Sequence, residues 1–199
     1  MTAGPLHPGP ARVLFVCTGN VCRSPLGAAL LRTYLARQGV DDTEVHVASA
    51  GVRALQGQPM TRQTERELLA LGGVSTAFAA RQLLPEMVRS ADLVVTAERS
   101  HRAEVVQLAP RALRYSFTLR ELKRLLDDAD LDVLPADPAS RLRELAHVAS
   151  MRKGMAPPTP PEDDDIPDPY RGTDADYALT SRHLEPAVRS LAAAIGGRE

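Results

Sequence analysis

Cys17 and Arg23 are separated by five residues in the run Cys17-Thr18-Gly19-Asn20-Val21-Cys22-Arg23-Ser24, and a carboxylate far along the chain, Asp168, sits between two prolines in Ile166-Pro167-Asp168-Pro169-Tyr170. These are the residue types needed to bind a phosphate dianion and attack its phosphorus. A turn of this length can wrap its backbone N–H groups around three nonbridging oxygens, as anion-binding nests and helix N-termini do. Arg23 adds a planar guanidinium fork that matches two phosphate oxygens. Gly19 allows backbone angles closed to other residues, and Asn20 tolerates left-handed geometry. A helix N-terminus or cationic neighbour lowers a cysteine pKa from about 8.5 to roughly 3.5–7.5, so one array both binds the anion and favours the attacking thiolate. A leaving group also needs a proton. Asp168 is the candidate donor, its loop stiffened by flanking prolines, although Asp before Pro is also an ordinary turn residue. Tyr170 is placed to wall an aromatic leaving group. Cys22, at the loop edge, is read either as a structural thiol or as a reversible disulfide partner that shields Cys17 from over-oxidation.

These residues need a strand to deliver them and a helix to receive them. Arg12–Cys17 is a short continuous apolar run, the pattern of a strand buried on both faces. Ser24-Pro25 then opens a helix, Ser24 as N-cap, with Leu26, Leu30 and Tyr34 on its buried face and Gly39 as its stop. Further strands are expected at Glu44–Ser49, Asp92–Ala97 and Ala112–Tyr115. Helices are expected at Thr61–Leu71, from near Glu98, and over Asp174–Ile195, the last with Tyr177, Leu184, Val188, Leu191 and Ile195 as its apolar stripe. Strands alternating with helices predict an α/β three-layer sandwich with a four-stranded parallel sheet and right-handed crossovers. In such sheets ligands sit at the carboxyl ends of strands, where the Cys17 loop lies.

Met1–Pro10 is Pro- and Gly-rich and is expected to be a flexible N-terminus, with one domain over 11–199. The stretch from about 127 to 165 stands apart. It holds a helical patch at Leu142–Val148, the cluster Pro157-Pro158-Thr159-Pro160-Pro161 and the acidic run Glu162–Asp165. Self-repulsion and proline content predict a partly mobile insertion, with the acidic run as a solvated loop. A net charge of −1 argues against nucleic-acid binding, and no stretch is long and apolar enough to cross a membrane. The only two cysteines, Cys17 and Cys22, cannot make a disulfide framework, and the five histidines show no ligand spacing. A reducing cytoplasm is therefore the expected setting, with no metal and no cofactor.

The motif Val16–Pro25, together with Asp168-Pro169-Tyr170, resembles the low-molecular-weight protein tyrosine phosphatase family. Ser49-Ala50-Gly51, Ala80-Arg81-Gln82-Leu83, the strand from Asp92 and Gly172–Tyr177 resemble its further landmarks. The resemblance covers roughly 11–120 and 166–196. It implies nucleophile Cys17, phosphate ligand Arg23, general acid Asp168 and a phosphate-binding loop over Thr18–Ser24. Ser24 would hydrogen-bond the thiolate, Ser49 would hold Asn20, and Leu55 and Tyr170 would line the substrate mouth. The segment Ala54–Pro59 is similar to the bacterial branch that opposes tyrosine kinases of exopolysaccharide synthesis, so the implied partner is a phosphotyrosine protein such as a bacterial tyrosine kinase. Three departures stand out: Phe78 where many members have a His that helps hold the loop Asn, Ala28 where a Glu is common, and the long 127–165 segment. Alternative readings within the fold are a protein arginine phosphatase, which Val21 disfavours because that class carries Thr there, and a weak phosphate-binding member. An arsenate reductase would need a resolving cysteine pair outside the loop, which this chain lacks.

Overall fold

The computed structural model describes residues 9–127, 129–155, 157 and 159–197. The flexible N-terminus expected over 1–10 falls mostly on residues 1–8, which lie outside the described residues, as do 128, 156 and 158 of the long segment. The chain runs β1 (Ala11–Cys17), α1 (Arg23–Arg37), β2 (Val45–Gly51), α2 (Arg62–Ala70), α3 (Pro85–Arg89), β3 (Leu93–Thr96), α4 (Arg99–Leu108), β4 (Ser116–Thr118), α5 (Leu119–Asp127), α6 (Pro138–Lys153), α7 (Pro161–Asp164) and α8 (Asp174–Gly196).

The four strands form one parallel sheet in the order β2-β1-β3-β4. The apolar run of β1 is explained by its central place, because side chains alternate between faces and both faces are covered. Val13 and Phe15 join a core with α1, α5, α6 and α8. Leu14 and Val16 join the other core with Val88 and Val105, from α3 and α4. Helix α1 lies close on the strand because Gly27 has no Cβ; one built there would come within 2.8 Å of the Phe15 ring. It ends where expected, at Gly39 with φ +80°. Register puts Cys17 opposite Gly51 and Val16 opposite Thr96, so three strand ends meet at one edge. The chain leaves β1 to one side for β2 and reaches the other side for β3, which makes β1 the switch point of the sheet.

Two expectations are corrected here. The last strand is Ser116–Thr118, not Ala112–Tyr115; residues Pro110–Arg114 form a 3-10 turn instead. Pro110 opens that turn, and the aromatic and β-branched residues that suit a buried strand, Phe117 and Thr118, follow it. The acidic run is not simply a solvated loop. Asp164 is 2% exposed and is bonded by Arg99 and Arg124.

Much of the long segment is packed. Its helical patch extends in both directions to become α6, which starts at Pro138 with the Asp137 side chain accepting from the Ser140 amide. Leu142, Leu145, Ala146 and Ala149 enter the main core. Buried Arg141 donates to the carbonyls of Ala194 at 2.6 Å and Leu131 at 3.0 Å, tying α6 to the end of α8. Helix α5, not expected from the sequence, lies before it and buries Leu119, Leu122, Leu125 and Leu126. Among the described residues no helix is long and apolar enough to cross a membrane.

Candidate active site

The loop after β1 is held from the outside. The carbonyls of Cys17, Thr18 and Gly19 accept from the amides of Val52, Arg53 and Leu55 at 2.9–3.0 Å, and that of Val21 from Thr61 at 3.0 Å. Because C=O and N–H of a peptide unit point in opposite directions, committing the carbonyls outward turns the amide edges inward, toward Cys17. Gly51 makes this approach possible. A Cβ there would sit 2.5 Å from the Thr18 carbonyl oxygen.

Asn20 adopts the left-handed conformation, φ 55°, and is fully buried. Such a conformation costs about 1–2 kcal/mol for a non-glycine residue, so something must hold it. Its Nδ2 donates to Ser24 Oγ at 2.9 Å and to Ser49 Oγ at 3.0 Å, and its Oδ1 accepts from the Arg81 amide at 2.9 Å. Both donors and the carbonyl of the side-chain amide are thereby used. Arg81 also donates from Nε to the Ser49 carbonyl at 2.7 Å, which fixes the strand end that supports Asn20. Phe78, in place of a His, instead packs on the apolar cluster of Val21, Cys22, Ala80 and Tyr177.

Ser24 is not the N-cap of α1. That position is Cys22, and no side chain caps it. The Ser24 hydroxyl instead lies 2.9 Å from Cys17 Sγ and 3.3 Å from the Ala50 carbonyl. It has one proton and already accepts from Asn20, so against a thiolate it can turn that proton to the sulfur, and against a thiol it can keep it on the Ala50 carbonyl. Both cysteines are free and buried. Cys22 Sγ lies 3.7 Å from Thr61 Oγ1 and 3.9 Å from the Tyr177 hydroxyl, and burial pushes its thiol above the ordinary value.

Arg23 is 1% exposed. Nη1 donates to the Ile166 carbonyl at 2.9 Å and pairs with Glu98; Nη2 reaches Thr18 Oγ1 at 3.3 Å and Asp168 Oδ2 at 2.8 Å. Burial opposes ionisation of Glu98, yet the Arg23 guanidinium outweighs it and holds the carboxyl below its usual range. Thr18 Oγ1 also lies 2.9 Å from Nε2 of His101, a residue whose burial pushes its imidazole down from the ordinary value.

The structure brings Cys17, Arg23, Asp168, Leu55 and Tyr170 to one place. A cavity of about 100 Å³ is lined by Cys17, Thr18, Gly19, Val21, Cys22, Arg53, Leu55, Asp168 and Tyr170. Its floor is the loop and its wall is mostly apolar. Asp168 is 42% exposed on its side chain and closes one side. Tyr170 stands at the rim with the Arg171 guanidinium 5.3 Å from its ring centre. Two site residues escaped sequence reasoning, Glu98 and His101, and Arg81 was read only as part of a family landmark with no role assigned. Glu98 and His101 follow the carboxyl end of β3, the place where a sheet of this kind collects its functional groups, and that position was the available signal.

Residues 12–157 match the model of the family described as low molecular weight phosphotyrosine protein phosphatase. The chain is 42% identical over 99 residues to the low molecular weight protein-tyrosine-phosphatase Etp of Escherichia coli, a match covering 49% of this chain and 62% of that relative's length. It is 31% identical to a low molecular weight protein-tyrosine-phosphatase of Streptomyces coelicolor, across 92% of this chain and 93% of that one. Among solved structures, the YwlE arginine phosphatase from Geobacillus stearothermophilus superposes with a TM-score of 0.63 at 27% identity, covering 92% of this chain and 91% of that one. The chain belongs to the low molecular weight phosphotyrosine protein phosphatase family.

Proposed function

We propose that this chain hydrolyses phosphotyrosine monoesters in two steps through a cysteinyl-phosphate. Cys17 Sγ attacks phosphorus, the P–O bond to the phenol breaks, and the departing oxygen takes its electron pair together with a proton from Asp168. Water then attacks the thiophosphate, Asp168 accepts the proton of that water, and Cys17 leaves as thiolate. Arg23 and the inward amide edges of Thr18–Ser24 hold the equatorial oxygens in both steps. The observation that carries this reading is that Cys17 and Asp168 line one pocket while buried Arg23 bonds Asp168 at 2.8 Å, with Ser24 at 2.9 Å from the sulfur. The Asp168 carboxylate on Arg23 Nη2 sits where an anionic substrate would compete for the same edge.

The apolar wall of Val21, Leu55 and Tyr170 suits an aromatic ring. A phosphoguanidinium would meet Val21 in place of a hydrogen-bonding hydroxyl, so phosphotyrosine is the preferred substrate even though a structural relative is an arginine phosphatase. The proposed protein partner is a phosphotyrosine protein such as a bacterial tyrosine kinase, met at the Ala54–Pro59 rim. A mechanism that depends on a free thiolate fits a reducing, cytoplasmic setting.

The test is hydrolysis of p-nitrophenyl phosphate, with metal chelator present, by wild type, Cys17→Ser and Asp168→Asn across the pH range in which the wild type is active. Loss with Cys17→Ser and a fall of about 10²–10³-fold with Asp168→Asn support the mechanism. Retained turnover in Cys17→Ser rejects it. Phosphoarginine outrunning phosphotyrosine in a side-by-side assay would reverse the substrate assignment.

A further inference from the structure

The nine residues that precede Asp168 are held by groups from four helices and from Ala97, just after β3. Asp164 accepts from Arg99 Nε at 2.9 Å and Nη2 at 2.5 Å, and from Arg124 Nη1 at 2.6 Å. Arg99 Nη2 also donates to the Thr159 carbonyl at 2.6 Å, and the Arg99 amide to Asp165 Oδ1 at 2.7 Å. Arg120 Nη1 donates to the carbonyls of Glu162 at 2.9 Å and Asp165 at 3.3 Å. The Ile166 amide then joins the end of β3 through the Ala97 carbonyl at 2.9 Å, its carbonyl accepts from Arg23, and Thr180 Oγ1 donates to the Pro167 carbonyl at 2.9 Å.

Asp164 is the only acidic side chain of this run that is fully buried. Burial opposes its ionisation, but the Arg124 and Arg99 bonds outweigh that and keep its carboxyl below the usual range. A buried carboxylate between two guanidiniums is weak evidence of net stability; its better-attested use is to select one conformation over others. Here the selected conformation is that of the arm ending at Asp168, four residues on, with Pro167 and Pro169 restricting the chain around the carboxyl.

We propose that Asp164, clamped between Arg99 and Arg124, is a positioning residue that sets where the Asp168 carboxyl stands over the pocket. The proposal rests on Asp168 being the general acid. It assigns to Glu162–Asp165 a role in the chemistry through geometry, at a site that touches no substrate. Misplacing a catalytic group by about 1 Å costs as much as 10²-fold, so loosening this clamp is felt where proton donation limits the rate and not elsewhere.

Leaving-group dependence separates this from a general structural role. The readout is kcat/KM, which reports the phosphorylation of Cys17, for phenyl phosphate and for 2,4-dinitrophenyl phosphate. Phenolate, with a pKa of about 10, must be protonated as it leaves, whereas dinitrophenolate departs without help. With Asp164→Asn in the full-length chain, kcat/KM for phenyl phosphate falls about 10-fold to 100-fold while that for 2,4-dinitrophenyl phosphate stays within about twofold. Arg124→Gln, at a side chain 40% exposed, gives the same pattern at smaller size and stands in if Asp164→Asn does not fold. Equal losses on both substrates, or no loss on either, overturn the proposal. Asp168→Asn run alongside distinguishes the levels. If it too shows no leaving-group dependence, the acid assignment fails and the clamp has nothing to position. If it shows the dependence and Asp164→Asn does not, only the clamp is wrong.

Discussion

The phosphate loop and the arm bearing Asp168 face each other across one pocket and are held in opposite ways. The loop is eight contiguous residues, buried or nearly so, fixed by backbone amides and by one left-handed Asn whose amide group is committed on both sides. The arm ends in a carboxyl that is 42% exposed, and its upstream part is held largely by three arginine side chains on helices α4 and α5. The proposed nucleophile, which must meet phosphorus along a fixed line, sits in a loop whose own backbone is hydrogen-bonded almost residue by residue. A group that must give up a proton and take one back stands at the end of a segment secured farther off.

That contrast can be broken or sharpened by experiment. The largest effect is expected from Cys17→Ser, which keeps the shape of the loop but loses at least about 10⁴-fold in p-nitrophenyl phosphate turnover, with a thermal midpoint close to wild type. Next comes Arg23→Lys. A single ammonium lacks the planar fork that lets Arg23 hold Glu98 and the Ile166 carbonyl on one nitrogen and present the other to substrate oxygens, so kcat/KM falls about 10²–10³-fold, read from steady-state kinetics. Asn20→Ala tests whether the loop is self-supporting. It leaves an Ala at φ 55° and removes three side-chain hydrogen bonds, for a loss of about 2–4 kcal/mol in urea unfolding. A loss well under 1 kcal/mol would mean that the loop is held mainly by the amides of 52, 53, 55 and 61.

The smallest effect is in pH dependence. His101, beside the loop, has its folded-state pKa below the ordinary value of about 6.5, so below that pH the unfolded chain binds a proton that the folded chain refuses. Stability therefore declines as pH falls from about 6.5, with a slope that one proton limits to about 1.4 kcal/mol per pH unit. His101→Gln flattens that decline in urea midpoints measured against pH. Asp164 acts in a different window. Its folded pKa lies below the ordinary value of about 3.9, so its contribution is present above that value and lost as pH falls through the folded pKa. Acid should weaken the loop side before it weakens the arm.

The same division explains what could be read in the sequence. The loop, its strand and its helix occupy one stretch of chain, so residue spacing alone locates Cys17, Arg23 and Asn20. Asp168 was legible from its proline neighbours and from the family motif. Glu98 and His101 were not, because they reach the site through the register of β1 on β3 and not through any spacing relative to Cys17, and the hold of Arg81 on Asn20 shows only once the chain is folded. Glu162 and Asp163 are exposed as a solvated run should be, but Asp164 was misread for a similar reason. A run of like charge repels itself in isolation, and its partners Arg99, Arg120 and Arg124 come from about 40–65 residues away. The misplaced fourth strand came from an apolar stretch beside Pro110 whose turn was not recognised.

The place of β1 in the middle of the sheet bears on the order in which the molecule comes apart. Regions open locally with free energies that rise from nearly zero at loosely packed segments to the global value at the core. Cys17 ends a strand paired on both sides and covered on both faces, so its amide neighbours Val13–Val16 should exchange with solvent only through global unfolding. The arm from Thr159 to Tyr170 adds just one amide to the end of the sheet, at Ile166, and should exchange far sooner. Under mild stress the protein would then pass through a form that has shed its proposed proton donor while still presenting the loop proposed to bind the anion, a form expected to grip phosphate without releasing the alcohol.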